Sequence, residues 1–467
     1  MFKATHTIKA LIAIGCILIS SVSVWAAEIN LIQSGTTSSN GNGVVTVDVT
    51  SVDMSKSFLI FQTRHSSNRP AGSTVRGELA SATQLKFTRV TTDSSTINIQ
   101  WYLVEYANGV AVQRGDTTQS SATKNVTLGT SLSAASSAFL LYSKTVGSTD
   151  SIYSEDDPML GRITSSSNIQ FKTDLANSNH AIHWQVVEFT DGSVNVQTGT
   201  NSITTQGQFS ASNTLSNAVD LSKSFLLAGW MSGDREEDLD ERMITAALPS
   251  DNSVTFTRTF AGSKDVDEIA FQVVEFSDAT LVQRGEVTLA SGETTRDITI
   301  DSVDPSKSIA FSTVQAGDGQ NMGNVVYFSD DITGEGAYTL AINSATSLRV
   351  QRNSSNAAST VIWQVVSLPG TSDGDDDSSC IAADSTYPIV ATGGMLIESD
   401  VRMNGNQISS GTKTANATVD TDGDVSYTSV PIPTLNPATF PTNSSTTDIS
   451  HNNSPVNTSG EAYYRNV

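Results

Sequence analysis

Trp184-Gln-Val-Val-Glu-Phe189 is one of four related strings in this 467-residue chain. The others are Trp101-Tyr-Leu-Val-Glu-Tyr106, Phe271-Gln-Val-Val-Glu-Phe276 and Trp363-Gln-Val-Val-Ser-Leu368, at steps of 83, 87 and 92 residues. A Gln-x-Gly string opens each unit, at Gln33-Ser-Gly35, Gln113-Arg-Gly115, Gln197-Thr-Gly199 and Gln283-Arg-Gly285. A third marker lies between them, at Ser55-Lys-Ser-Phe58, Ser136-Ser-Ala-Phe139, Ser222-Lys-Ser-Phe225 and Ser306-Lys-Ser-Ile309. Self-similarity at a fixed period defines four tandem units, at 28–107, 108–190, 191–277 and 278–369.

Each unit reads as β. Apolar residues alternate with polar ones, as in Val45, Val47 and Val49, and Gly, Asn, Asp and Ser clusters separate the runs. No segment of helical length carries a helical period. Five to seven strands in about 85 residues cannot hide both faces of one sheet, so each unit is expected to be an antiparallel β-sandwich. Ile182, Trp184, Val186 and Glu188 share one strand face, and His183, Gln185 and Val187 share the other. The Trp face is expected to point into the sandwich core.

The order of a Gln-x-Gly opening, a Phe-led strand, an Arg-containing strand and an inward Trp resembles H-type lectin domains. In the first unit Gln33, Gly35, Phe58, Arg76, Phe87 and Trp101 carry the likeness, which recurs over 28–369. It implies compact sandwiches, a homo-oligomer and N-acetylgalactosamine-like ligands. The loop before the Trp strand departs from that family's sugar site, because Thr91-Thr-Asp-Ser-Ser95 holds no aromatic residue.

The N-terminus reads as a Sec export signal. Lys3 and Lys9 precede the apolar run 10–24, and Val24-Trp25-Ala26 offers the small residues needed for cleavage after Ala26. Gly15-Cys16 is a weaker, lipoprotein-type alternative. Removing 1–26, with two lysines and no acid, takes the formal charge from −22 to −24. Such a chain repels phosphate backbones, so nucleic acid is excluded as a partner. The apolar run is too short for a membrane span, and the mature chain is expected to carry no transmembrane segment. Cys380 alone remains, so the fold owes nothing to internal disulfides.

Residues 370–379 form an acidic linker, and 380–467 turn rich in Asn, Thr and Pro. That region is similar in texture to exported proteins associated with mannose-sensitive (MSHA-type) pili of Gram-negative bacteria. It is expected to be β-rich, solenoid-like and incomplete, because the lone Cys380 and a strand-like ending at Val467 call for more chain.

Motifs for catalysis are missing: no nucleophile elbow, zinc-protease helix or phosphate loop occurs. Arg114-Gly115-Asp116 reads as a coincidence in a turn. The loop after the Phe-led strand varies most, with His65 and Arg69 in unit one, Glu155, Asp156 and Asp157 in unit two, and Glu236, Glu237 and Asp238 in unit three. Loops on a repeated scaffold are where binding specificity is placed, and drift in a solvated loop is the competing reading. Arg76, Arg162 and Arg242 read as equivalent positions, either pairing with Glu105, Glu188 and Glu275 at the core edge or binding ligand. Asp420, Asp422 and Asp424 have calcium-loop spacing but lack the closing acid, which favours an Asp-Gly turn over a Ca2+ site.

The chain is therefore expected to be an exported, non-catalytic surface adhesion protein that binds glycans. The alternative is a structural stalk or a pilus-biogenesis accessory protein.

Overall fold

The computed structural model describes residues 27–40, 43–67, 69–90, 95–150, 153, 155–175, 179–233, 242–259, 266–315 and 333–369. Beyond these it describes the backbone of short strands within 395–465. The chain is all-β, and each unit has six strands. In the first they are β1 (Glu28–Asn40), β2 (Val44–Asp48), β3 (Ser57–Arg64), β4 (Arg76–Ser81), β5 (Gln84–Thr88) and β6 (Thr96–Asn108). They form two three-stranded antiparallel sheets, β1-β6-β3 and β2-β5-β4, and the other three units repeat both orders. The β6-type strands of those units are His180–Phe189, Val266–Phe276 and Ser359–Ser367.

The Trp face points into the sandwich. Ile97, Ile99, Trp101 and Leu103 pack with Leu79, Leu85 and Phe87 of the covering sheet. This contact explains the Gln-x-Gly motif. Gly35 pairs with Trp101 across the β1–β6 ladder, and a Cβ there would lie 2.7 Å from the indole. Gly115, Gly199 and Gly285 stand against Trp184, Phe271 and Trp363 in the same way. The Gln side chain clamps the next loop, with Gln33 Nε2 donating to the Thr50 carbonyl at 3.0 Å and the Thr50 N–H donating to Gln33 Oε1 at 2.7 Å.

The opposite face of each β6-type strand is buried as well. Tyr102, Val104 and Tyr106, with Val187 and Phe189, Val274 and Phe276, and Val366 and Leu368, meet in one core shared by all four units. Aromatic rings climb through it, Phe58 to Phe139 at 5.8 Å, Phe139 to Phe225 at 5.6 Å and Phe225 to Phe311 at 5.5 Å. A strand covered on both faces reads as a near-continuous apolar run, which Trp-Gln-Val-Val-Glu-Phe is.

The units close into a ring. β4 of unit one packs on the sheet of unit two that holds His180–Phe189, and each later unit meets its successor in the same way. Tyr338–Ser344 of unit four returns to β3 and β6 of unit one. Gln side chains seal the seams in place of a strand: the Gln185 Nε2 donates to the Leu59 carbonyl at 3.0 Å, and its Oε1 accepts from the Leu59 N–H at 2.9 Å. Gln272 treats Leu140 likewise, and Gln364 treats Leu226 likewise. At the closing seam Tyr102 holds the equivalent place, and its hydroxyl donates to the Leu340 carbonyl at 3.1 Å.

The four units thus form one compact unit, and the segment from 372 onward belongs to another. Units one, two and three each keep an inner core of their own, and all four units contribute to the shared one. In the second unit Ala417–Val419 pairs antiparallel with Asp424–Tyr427. Asp420 and Asp422 lie outside the described residues, as do the Asp424 side chain, Cys380 and residues 1–26.

Candidate functional site

The sheet register corrects the arginine reading. Arg76 pairs with Thr88 in β4–β5, and the same rung in the other units is Leu160–Lys172, Thr245–Thr257 and Thr339–Gln351. Arg162 sits two rungs further on, and Arg242 precedes its strand. The three are therefore not equivalent, and they do not pair with the glutamates. Glu105 instead accepts the Asp53 N–H and the Asn30 amide. Glu188 accepts from Ser133, and Glu275 accepts the Asp220 N–H at 2.7 Å. Each carboxylate ties down the loop that leads into a β3-type strand. Arg76 lies 3.7 Å from Asp116, while Arg162 and Lys172 both pair with Glu268 of unit three.

A different arginine recurs. Arg89 and Arg258 directly follow β5-type strands and Arg352 ends one, and they are 3 %, 1 % and 1 % exposed, with the buried Thr173 in unit two. Arg352 faces Glu335 at 3.2 Å with both side chains fully buried. Phe-Thr-Arg at 87–89 and 256–258 was the sequence signal for this position.

Described residues of the segments after the β3-type strands, among them Pro70, Asp157, Met243 and Gly336, come together at one end of the ring. Together with the strand ends they line a cavity of about 450 Å³ to which every unit contributes. Phe61 and Gln62 come from unit one, Lys144 and Asp157 from unit two, Trp230 from unit three and Tyr338 from unit four. The volume lies in the ordinary range for small-ligand sites. Asp156 and Asp157, candidate ligand-binding residues on one reading and part of a drifting solvated loop on the other, are 2 % and 5 % exposed. Arg242 is fully buried nearby: burial pushes the Tyr153 phenol up, with Asp157 adding to the effect and Arg242 opposing it. Glu236, Glu237 and Asp238 lie outside the described residues. The aromatic members of the lining escaped the sequence reading because they sit on strand ends rather than in the variable loops.

Beneath this lining Lys144 donates to the Asp156 carbonyl at 3.2 Å. Burial lowers its pKa, against the pull of Asp157, Asp156 and Asp150. His180 is fully buried beside it, and neither ring nitrogen has a hydrogen-bond partner among the described residues. Burial first and Lys144 second drop its pKa to about 3. A neutral buried histidine stabilises the fold fully above its unfolded pKa of about 6.5, and that contribution falls away as pH drops toward 3. Urea unfolding of His180→Phe is expected to show a weaker loss of stability between pH 6.5 and 4 than the parent chain.

Among the described residues two groups have metal-ligand proximity. Glu78, Asp116 and His183 place one ligand atom each within 4.8 Å, as do Asp150, Asp156 and Asp157. Cations already serve the first group, with Lys86 2.7 Å from Glu78 and Arg76 3.7 Å from Asp116. Asp116 lies in the strand Val110–Gln119, opposite His183, so Arg114-Gly115-Asp116 is mid-strand rather than in a turn. Arg114 is committed there to the Ser57 carbonyl of unit one.

No protein-family model matches the sequence, and neither a curated protein nor a solved structure matches the chain.

Proposed function

We propose that residues 27–371 form an exported, non-catalytic binding protein that takes one saccharide-class ligand per chain in the axial cavity. The observation that carries this is that strand ends and loop residues of all four units together line one cavity of about 450 Å³. Repeated residues build the ring, through the Gln clamps, the Gly–Trp contacts and the shared core. Divergent ones line the cavity. Phe61, Trp230 and Tyr338 contribute apolar surface for the C–H side of a sugar, while Gln62, whose Nε2 donates to the Ser312 hydroxyl at 2.9 Å, keeps its Oε1 without a partner among the described residues and can accept from a sugar hydroxyl. On this reading the four repeats give one site, and avidity would come from several chains on a surface rather than from four sites in one chain.

A glycan array probed with the full chain, followed by calorimetry on the best hit, tests this. One ligand per chain is expected, with affinity reduced about tenfold or more in Gln62→Ala, the loss of about one buried polar contact. Four equivalent sites, or full affinity in Gln62→Ala and Trp230→Leu together, would overturn the axial site. No binding to any glycan would overturn the saccharide class.

A further inference from the structure

The end of the ring that carries the connections between units holds an unbalanced pair of acids. Asp191 in the turn between units two and three, and Asp278 in the turn between units three and four, are both half-buried. Both stand near the Tyr106 phenol, which burial drives far up and both carboxylates raise further. Among the described residues no Lys or Arg side chain pairs with either carboxylate. Asp191 Oδ1 accepts from the backbone and hydroxyl of Ser193 at 3.1 and 2.8 Å. Asp191 Oδ2 accepts, among the described residues, from the backbone nitrogen of Ala27.

Ala27 is the residue that follows Val24-Trp25-Ala26. It is 3 % exposed and seated on the turn between units one and two, where Gly109 has φ +73°. A Cβ on Gly109 would lie 2.6 Å from the Ala27 Cα, so the turn is kept bare for this contact. The Gly109 carbonyl accepts the Thr190 N–H at 2.8 Å, which joins that turn to the one carrying Asp191.

We propose that proteolytic removal of residues 1–26 creates a structural ion pair, the new Ala27 ammonium with the Asp191 carboxylate, that locks unit one onto the turn between units two and three. Hydrolysis of the 26–27 peptide bond consumes one water, leaving a carboxylate on Ala26 and an amine on Ala27 that takes a proton at neutral pH. In the precursor the same nitrogen is a neutral amide with a single hydrogen to give. In the mature chain it is a cation with three, placed where the acids lack a counter-charge. Charge-assisted hydrogen bonds of this kind are about twice as strong as neutral ones. Export processing is thereby coupled to the seating of unit one on the turn between units two and three, and the mature chain is more stable than its precursor.

The experiment compares the chain 27–467 bearing an authentic Ala27 terminus with the same chain extended by one glycine, each also carrying Asp191→Asn. The authentic terminus is expected to raise the melting temperature by on the order of 2 °C, and Asp191→Asn should abolish the difference. N-terminal sequencing of the exported protein should begin at Ala27. Equal melting temperatures for the two termini, a difference that survives Asp191→Asn, or a mature terminus elsewhere would overturn the proposal.

Discussion

Arg352→Met is expected to destabilise the chain by about 3–5 kcal/mol, because it strands a buried carboxylate. Arg352 is the hub of unit four. Its Nη1 donates to Glu335 at 3.2 Å, to the Ala357 carbonyl at 2.8 Å and to the Ser359 hydroxyl at 3.1 Å. Its Nε and Nη2 donate to the Glu293 and Ala290 carbonyls at 2.8 and 2.7 Å. Methionine fills most of the volume but leaves the Glu335 carboxylate with backbone N–H donors, Asn356 at 2.7 Å and Ala357, and no counter-charge among the described residues. The double replacement Arg352→Met with Glu335→Gln should recover part of the loss, since no charge is then left unpaired. Urea unfolding of the three variants measures this. Equal stability of Arg352→Met and the parent would mean that the pair is not closed off from water.

Phe139→Ala is expected to cost about 3–5 kcal/mol as well, by opening a void in a core that cannot collapse. Phe139 is 1 % exposed and touches aromatic rings of three units, Phe58 of unit one, Phe189 of its own unit and Phe225 of unit three. The form of the loss matters as much as its size. With a shared core the whole transition of residues 27–371 should shift to lower urea. With four self-contained sandwiches only the part of the signal belonging to unit two would move.

The two predictions rest on features of unequal visibility in the sequence. The inward Trp face was legible because Ile97, Ile99, Trp101 and Leu103 alternate with polar neighbours at the spacing of a strand. The second buried face was also written there, in Val186, Val187 and Phe189 standing almost consecutively. It was harder to use, because a continuous apolar run does not say what covers it. Arg162 stands two residues from the Arg76 rung, and Arg242 three residues before it and outside the strand. In a strand, a slip of two residues keeps the side chain on the same face and changes its neighbours, so periodicity gives no warning. The cavity was beyond reach for another reason. Its lining comes from positions as far apart as Phe61 and Tyr338, and only ring closure by unit four makes them neighbours. What could be read was that the loop after the β3-type strand is the least repeated segment, and the structure places that loop at the cavity.

The ring also explains why repetition here is imperfect in an ordered way. Gln185, Gln272 and Gln364 seal three seams, while Tyr102 seals the fourth, where the first unit meets the last. A chain of identical units with open ends would have no reason to treat one seam differently.

The most direct test of the ring is the isolated second repeat, residues 108–190, studied by urea unfolding and analytical ultracentrifugation across a range of concentrations. Alone it would expose Val187, Phe189 and Phe139, which belong to the shared core. The account predicts no cooperative unfolding from a monomer, and a folded state only where copies associate to rebuild the core. A monomeric fragment 108–190 that unfolds cooperatively at every concentration would contradict it.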